Sequence, residues 1–130
     1  MLSIMKVGTP LNHVYNETKQ FILDKDASLA NALHTNFGFG IGFNHKEDLL
    51  SINATNETKV EPGMLFHVRI TLCDVKDGKS ESRMIAVGDT VWFKSDEDKA
   101  ILTENIPRRY QQISYTLDDD EEEDDNNKEN

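Results

Sequence analysis

The sequence has few of the residues that constrain a chain covalently. Of its 130 residues, one is cysteine, Cys73, and three are proline. A single cysteine excludes an internal disulfide and a zinc site built from cysteines, which favours the cytosol or nucleus. No apolar run approaches the ~20 residues that a membrane helix needs, and the opening MLSIMKVGTP does not have the form of a secretory signal. We therefore expect neither secretion nor a membrane partner.

Basic residues are scarce at the C-terminus. The net charge is −10, and residues 118–130 hold nine acidic residues and one lysine. The other 117 residues carry a net charge of only −2. A block of like charges repels itself and cannot bury surface. We therefore predict a folded domain at residues 1–117 and a disordered acidic linker or tail at residues 118–130. The body has no basic excess, which argues against direct binding to nucleic acid.

The first third of the sequence has helical periodicity. TPLNHVYNETKQFIL predicts a helix with Thr9 as its N-cap and Pro10 at the first helical position. DASLANALHTN predicts a shorter second helix, capped by Asp26. Helical spacing predicts that the first helix turns these residues towards the core: Leu11, Val14, Tyr15, Thr18, Phe21 and Ile22.

The pattern then changes to short strands. We predict six strands, separated by polar or glycine-containing turns, at FGFGIGF, LLSIN, MLFHVRITLCD, RMIAV, DTVWF and AILT. Helices followed by close-spaced strands predict an α+β fold, with N-terminal helices packed on an antiparallel sheet. Alternation along MLFHVRITLCD places Phe66, Val68, Ile70 and Leu72 on one face, and His67, Arg69, Thr71 and Cys73 on the other.

Three segments, in order, resemble motifs of one enzyme fold. They are similar to the last three motifs of the pita-bread fold of methionine aminopeptidases, prolidases and creatinase. The segments are GFGIG (residues 38–42), PGMLFHVRI (62–70) and VGDTVWF with ILT (87–103). Those motifs read approximately GHGIG, PGMxFTIEP and xEDTVLVT with LT. The resemblance implies the second half of a pita-bread domain. A half-domain of this kind exposes a sheet edge and an uncovered inner face, which favour self-association.

The resemblance also locates the metal-ligand positions of the catalytic members. Their single histidine corresponds to Phe39, and their two glutamates correspond to Arg69 and Gly88. Phenylalanine and glycine provide no side-chain ligand, and arginine places a fixed positive charge where a cation would sit. The family's two aspartates lie upstream of the matching helix. The resemblance therefore implies no catalytic residue, no metal and no cofactor.

The histidines do not replace the lost ligands by their spacing. A second, assisting histidine of the catalytic members corresponds to Lys46, whereas His45 is one position away and would point to the opposite side of a strand. His13 is expected on a helix surface, and His67 shares the face of Arg69. A rival hypothesis keeps an active aminopeptidase with ligands displaced to Glu47, Asp48, Asp89 and a histidine.

A non-enzymatic branch of this fold is the peptidase-like domain in the large subunit of FACT histone chaperones. GFGIGFNHKEDLLSIN, KVEPGMLFHVRITLCDV and AVGDTVWF resemble that domain, including Lys46 followed by Glu47, and Gly88 where the enzymes carry glutamate. Arg69 departs from it, as do Thr71 and Leu72. The resemblance implies a nuclear chromatin protein that binds core histones or other factors in transcription, replication and repair. It also implies a small HMG-type partner subunit, contacted through other parts of a longer chain.

Several residues are candidates for protein binding, each with a plainer alternative. Arg69 is suited to bind a carboxylate, or it forms an ion pair inside the sheet. The glycine strand around Phe39 contributes to peptide binding, or it only allows close backbone packing. Trp92 is a docking aromatic, or it is half-buried or in the core. The acidic run attracts basic histone surface, or it is a solvated linker, and the whole chain is then a structural module. The candidates are Phe39, Lys46, Arg69, Asp118, Asp119, Asp120, Glu121, Glu122, Glu123, Asp124 and Asp125.

Overall fold

A computed structural model gives the architecture of the chain. It describes residues 1–43, 46–76, 82–95, 98–103, 105–107 and 109–113, so the acidic segment 118–130 and His45 lie outside the described residues. The elements, in chain order, are helix α1 (Leu11–Lys25), a 3-10 helix (Ala27–Asn31), strand β1 (Gly38–Ile41), a second 3-10 helix (Asp48–Leu50), strands β2 (Leu65–Lys76), β3 (Ser82–Phe93) and β4 (Lys99–Ile101), and helix α2 (Tyr110–Ile113).

The strands form one antiparallel sheet in the order β1-β2-β3-β4, which confirms the α+β prediction. The long strands β2 and β3 pair over most of their length, with Arg69 opposite Gly88. β4 pairs only with the end of β3, from Val91 to Phe93. RMIAV and DTVWF were predicted as separate strands, and this is wrong. They are one strand because the backbone at Gly88 stays paired with β2.

Helix α1 starts differently from the sequence prediction. Pro10, not Thr9, is the N-cap residue, and it has an extended backbone with ψ of 142°. A loop supplies the cap: Pro10 forms an antiparallel bridge with Lys59, and the Leu11 N–H donates to the Thr58 carbonyl oxygen at 2.9 Å. This backbone contact satisfies a free N–H of the first turn. The Thr9 side chain is therefore not needed there.

The predicted second helix is a short 3-10 helix, and its cap is as predicted. The Asp26 Oδ1 accepts a hydrogen bond from the Ser28 N–H at 2.9 Å. A second bond comes from the Ser28 hydroxyl at 2.6 Å. The hydroxyl bond and the N–H bond hold the pKa of Asp26 below its usual value, because both stabilise the charged carboxylate.

LLSIN was predicted as a strand, and this is wrong. Asp48–Leu50 form a 3-10 helix, and only Asn53 makes an isolated bridge, to Asn36. Ile52 makes two backbone hydrogen bonds beside the start of β1, from the Phe37 N–H and to the Gly38 carbonyl oxygen, each at 2.8 Å. A side-chain amide directs the rest of the segment. The Asn56 amide nitrogen donates to the carbonyl oxygens of Leu49 and Ser51 at 2.9 and 2.8 Å. Asparagine commonly competes with regular structure in this way.

The core lies between α1, the N-terminal segment and one face of the sheet. The buried positions predicted for α1 are confirmed at Leu11, Val14, Tyr15 and Thr18, but Phe21 is 63% exposed. Along β2, Thr71 is buried instead of facing solvent. The segment before β1 runs beside the strand there, and the His34 N–H donates to the Thr71 carbonyl oxygen at 3.0 Å. The apolar core comprises Met5, Leu11, Val14, Tyr15, Phe37, Ile52, Val60, Phe66, Val68, Val91 and Phe93.

A lysine ties the N-terminal segment to the last strand. The Lys99 ammonium, on β4, donates to the carbonyl oxygens of Leu2 and Met5, the latter at 3.0 Å. Burial lowers the pKa of Lys99, and the nearby positive charge of Lys6 lowers it further. The two carbonyls stabilise the ammonium in place, so sequence-distant segments close one end of the core.

Gly38 begins β1 with a backbone that glycine alone adopts easily. Its φ is +139°, a value that residues with a side chain rarely adopt. A Cβ at Gly38 would overlap the His67 carbonyl oxygen and lie 2.9 Å from the Val68 Cα. The close approach of β1 to β2 therefore depends on this glycine, and it sets the position of Phe39.

Truncating the core beneath β2 should destabilise the fold strongly. Phe66 is fully buried and meets Phe93 edge-on, with ring centroids 6.1 Å apart. We expect Phe66→Ala to lower the free energy of unfolding by about 3–5 kcal/mol. Phe43→Ala is the control, because Phe43 is fully exposed, and it should change that free energy by less than about 0.5 kcal/mol. Urea denaturation measures both; equal effects would contradict the assigned core.

Gly38→Ala should cost more than an alanine at another positive-φ glycine. Gly8 has a φ of +82°, and a Cβ there would have no atom within 4 Å. Gly8→Ala should cost about 1–2 kcal/mol of conformational strain. Gly38→Ala adds displacement of β2, so we expect a loss of about 3 kcal/mol or more. Chemical denaturation of both variants is the measurement, and a smaller loss at Gly38 would show that β1 is not packed so closely.

Candidate functional site

The side of the sheet away from the core carries the candidate site. We call it the open face and define it by Phe39, His67, Arg69, Gly88 and Thr90, each of which is at least partly exposed. Strand alternation separates these residues from the core residues of the same strands. A site on this face can change its side chains without disturbing the core.

The three predicted ligand positions lie together on the open face. Phe39 pairs with His67 across β1 and β2, and their ring centroids are 5.3 Å apart. Arg69 lies opposite Gly88. A Cβ at Gly88 would be 3.5 Å from the Arg69 Cβ and 3.3 Å from the His67 Cε1. Residues distant in sequence thus meet at one place, because β2 is the shared neighbour of β1 and β3.

Arg69 has no ionic partner within the described part of the chain. Its side chain is exposed, and it makes no salt bridge or hydrogen bond with another described residue. Its cross-strand neighbour is Gly88, which has no side chain, and Asp89 lies in register with Val68 of the core face. The alternative of an ion pair inside the sheet is therefore not formed among the residues that the structure describes.

Two neighbouring depressions share Arg69 and Phe39. The first, of about 340 Å³, carries polar and cationic side chains, and we call it the basic pocket. The second, of about 410 Å³, has Ile41 beside Phe39 in its lining and lacks Lys46, and we call it the apolar pocket. The basic pocket is lined by His34, Asn36, Phe39, Lys46 and Arg69. The apolar pocket is lined by Phe39, Ile41, His67, Arg69 and Thr90.

Lys46 contributes a second cation to the basic pocket. Its ammonium lies 3.4 Å from an Asp48 carboxylate oxygen, and the two side chains are 52% and 87% exposed. An ion pair this exposed is weak, so it leaves Lys46 free to turn towards another anion. The structure therefore places two of the predicted binding residues, Lys46 and Arg69, in one pocket with the third, Phe39.

Sequence reasoning missed His34, Ile41 and Thr90 as neighbours of the site. His34 reaches it because the segment before β1 bridges to β2 at Leu33 and Leu72. No spacing in the sequence signals that bridge. Ile41 and Thr90 lie on β1 and β3, and only the register of both strands with β2 brings them next to Arg69. The strand pattern predicted their faces but not their neighbours.

The residues of the displaced-ligand hypothesis do not converge. Asp89 lies in register with the core-facing Val68 and accepts a hydrogen bond from the Thr103 hydroxyl at 2.7 Å. Glu47 bridges Gly40 at the outer edge of β1. Among the described residues, no three His, Cys, Asp or Glu side chains form a group that could hold a metal ion. His13 is on the helix surface, as predicted.

Trp92 is a surface residue at the end of the sheet. Its side chain is 41% exposed, so a position in the core is wrong. The Lys94 ammonium lies 5.8 Å from the ring centroid, within the range of a cation–π contact.

In the described part of the chain, no helix is long and apolar enough to cross a membrane.

Comparison with known proteins supports a peptidase-like origin. The model of the metallopeptidase family M24 matches residues 1–95. The FACT complex subunit spt-16 of Caenorhabditis briggsae is 32% identical over 114 residues, which cover 84% of this chain and 11% of that protein. The chain therefore spans about one-tenth of the length of this relative.

Solved structures agree with this relationship. The N-terminal domain of FACT complex subunit SPT16 from Eremothecium gossypii superposes with a TM-score of 0.78 at 25% identity, covering 86% of this chain and 25% of that one. An X-Pro aminopeptidase from Thermotoga maritima has the same fold, with a TM-score of 0.67 at 23% identity, covering 83% of this chain and 28% of that one. The predicted pita-bread fold is confirmed, and so is the resemblance to FACT subunits. The chain belongs to the metallopeptidase family M24, and it is homologous to part of the peptidase-like N-terminal domain of FACT complex subunits.

Proposed function

We propose that this chain is a non-catalytic peptidase-like module of a FACT-type histone chaperone. It acts in the nucleus, on chromatin, and recognises core histones or other chromatin factors during nucleosome reorganisation. One observation supports the proposal: Phe39, Arg69 and Gly88, which the sequence resemblance aligns with metal ligands of the enzymes, lie together on the open face. The homology to FACT subunits supports the same conclusion.

The chemistry of these side chains argues against peptide hydrolysis. Two-metal hydrolysis needs carboxylate and imidazole ligands that hold hard divalent cations and lower the pKa of bound water. Phe39 and Gly88 offer no donor atom. An arginine side chain carries a fixed positive charge, so Arg69 repels a cation at the same place. What the open face retains is a recessed surface suited to binding.

Two parts of the chain contribute to protein recognition in different ways. The open face supplies shape and a few specific groups, centred on Phe39, Lys46 and Arg69. The acidic run at residues 118–125 supplies eight negative charges, which attract basic histone surface over a distance that salt shortens. A small HMG-type subunit would be contacted through other parts of a longer protein. Nucleic acid is not a direct partner, because the acidic run repels phosphate.

Core-histone binding should survive removal of the acidic run, although it becomes weaker. We compare residues 1–130 with residues 1–117 by titration with core histones at low and near-physiological salt. The longer chain should bind more tightly at low salt, and the difference should shrink as salt rises because the tail acts through screened charge. The matched control is a 130-residue variant in which residues 118–125 are converted to asparagine and glutamine, which separates charge from length.

The outcomes of this titration separate three functions. Residual binding by residues 1–117 at higher salt assigns recognition to the folded body. Complete loss with the tail would contradict that and make the body a scaffold. Absence of binding by either chain, even at low salt, would identify a purely structural module instead of a histone-binding one.

Divalent metals should not make the chain a peptidase. With manganese or cobalt present, we expect no cleavage of short peptides that begin with methionine or carry proline in second position. Calorimetric titration with either metal should show no tight site, because Arg69 occupies the ligand position with a positive charge. A parallel assay of an active aminopeptidase controls for metal loading. Tight metal binding together with cleavage would overturn the assignment and revive displaced ligands.

A further inference from the structure

The Arg69 guanidinium is suited to bind an anion strongly. It makes no salt bridge or hydrogen bond with another described residue. Its planar fork of N–H donors fits a carboxylate in a bidentate arrangement. Gly88, opposite Arg69, has no side chain that could pair with the guanidinium, and the Arg69 side chain is exposed. The position is therefore accessible to a carboxylate from another chain.

On the side of Phe39, the surroundings of Arg69 favour negative charge, whereas Asp89 lines a further depression with Arg69 and accepts a hydrogen bond from the Thr103 hydroxyl. The described residues that line the basic pocket and the apolar pocket include no aspartate or glutamate. Lys46 adds a positive charge, and Asn36 and His34 add polar groups. Asp48 is paired with Lys46 only through an exposed contact, so it competes weakly. The local charge is opposite in sign to the net charge of the chain, which is −10.

The apolar pocket adds a second requirement. Phe39 and Arg69 line both depressions, and Ile41 lies in the apolar pocket alone. A ligand that places a carboxylate at Arg69 therefore has apolar surface next to it, at Phe39 and Ile41. Burying an adjacent apolar side chain there is favourable. The combination selects an acidic group flanked by an apolar residue and disfavours a lysine-rich segment.

We propose that the basic and apolar pockets together bind a carboxylate carried on an apolar protein segment of a partner. The carboxylate sits between Arg69 and Lys46, and the neighbouring apolar side chain packs on Phe39 and Ile41. The carboxylate comes from an acidic side chain or from the C-terminus of the partner. This site is separate from histone attraction by the acidic run, so each can be tested without the other.

The test uses fluorescent peptides and the 130-residue chain, with binding followed by anisotropy. The acidic-side-chain probe is GLELG-NH2, and the neutral probe is GLQLG-NH2. A third probe, GLQLG with a free C-terminus, offers only the terminal carboxylate. In all three, the label blocks the N-terminal amine through an amide bond. We expect the first or the third probe to bind about tenfold more tightly than the neutral one, with an affinity that falls as salt rises.

Matched arginine variants locate the binding site. Arg69→Gln should weaken the carboxylate probe about tenfold, to the level of the neutral probe. Arg83→Gln changes the net charge equally on the neighbouring strand β3, and it should leave binding unchanged. Thermal unfolding of both variants shows whether they fold. Arg69→Lys, which keeps the charge but not the fork, should give intermediate affinity.

Each outcome decides the proposal. Preference for the side-chain probe or for the terminal probe identifies the source of the carboxylate. Equal binding of all three probes, an unchanged affinity in Arg69→Gln, or an equal loss in Arg83→Gln would overturn the site. The chain with neutralised residues 118–125 is titrated in parallel. If binding appears only in that variant, the acidic run occupies the pocket, and a partner segment is not its ligand.

Discussion

The fold and its candidate site both depend on the register of strand β2. This strand is paired on one side with β1 and on the other with β3, and its side chains alternate between the core and the open face. Phe66 and Val68 are buried beneath the sheet, whereas His67 and Arg69 lie on the open face. A slip of one residue would exchange the two sets. It would bury a guanidinium without a partner, at a high cost in free energy.

This division separates the core from the positions that the resemblance aligns with metal ligands of the enzymes. The core comes from α1, the N-terminal segment and one face of the sheet, and it includes none of the three predicted ligand positions. Side chains on the opposite face can therefore differ without altering the packing of the core. There, the Phe39 ring lies against the His67 ring. The core and the candidate site thus occupy different faces of the same strands.

Strands with strong alternation could be predicted, and segments directed by local polar contacts could not. MLFHVRITLCD is a strand because its pattern agrees with its position in the centre of the sheet. LLSIN has a similar composition, yet hydrogen bonds from the Asn56 amide direct its backbone into a turn. Thr9 was a reasonable cap by residue type, but a loop 50 residues away bonds to the first turn of α1. In such places, tertiary contacts override the intrinsic preference of residues for helix or strand.

The sequence by itself determined the class of fold, the residues predicted at the ligand positions and the concentration of charge in residues 118–125. These follow from the order and chemistry of residues along the chain. Only the tertiary structure decided that Arg69 has no ion-pair partner among the described residues, and that His34, Lys46 and Phe39 surround it. The physical reason is that strand pairing and the bridge between Leu33 and Leu72 join distant segments, and no local pattern encodes which of them become neighbours.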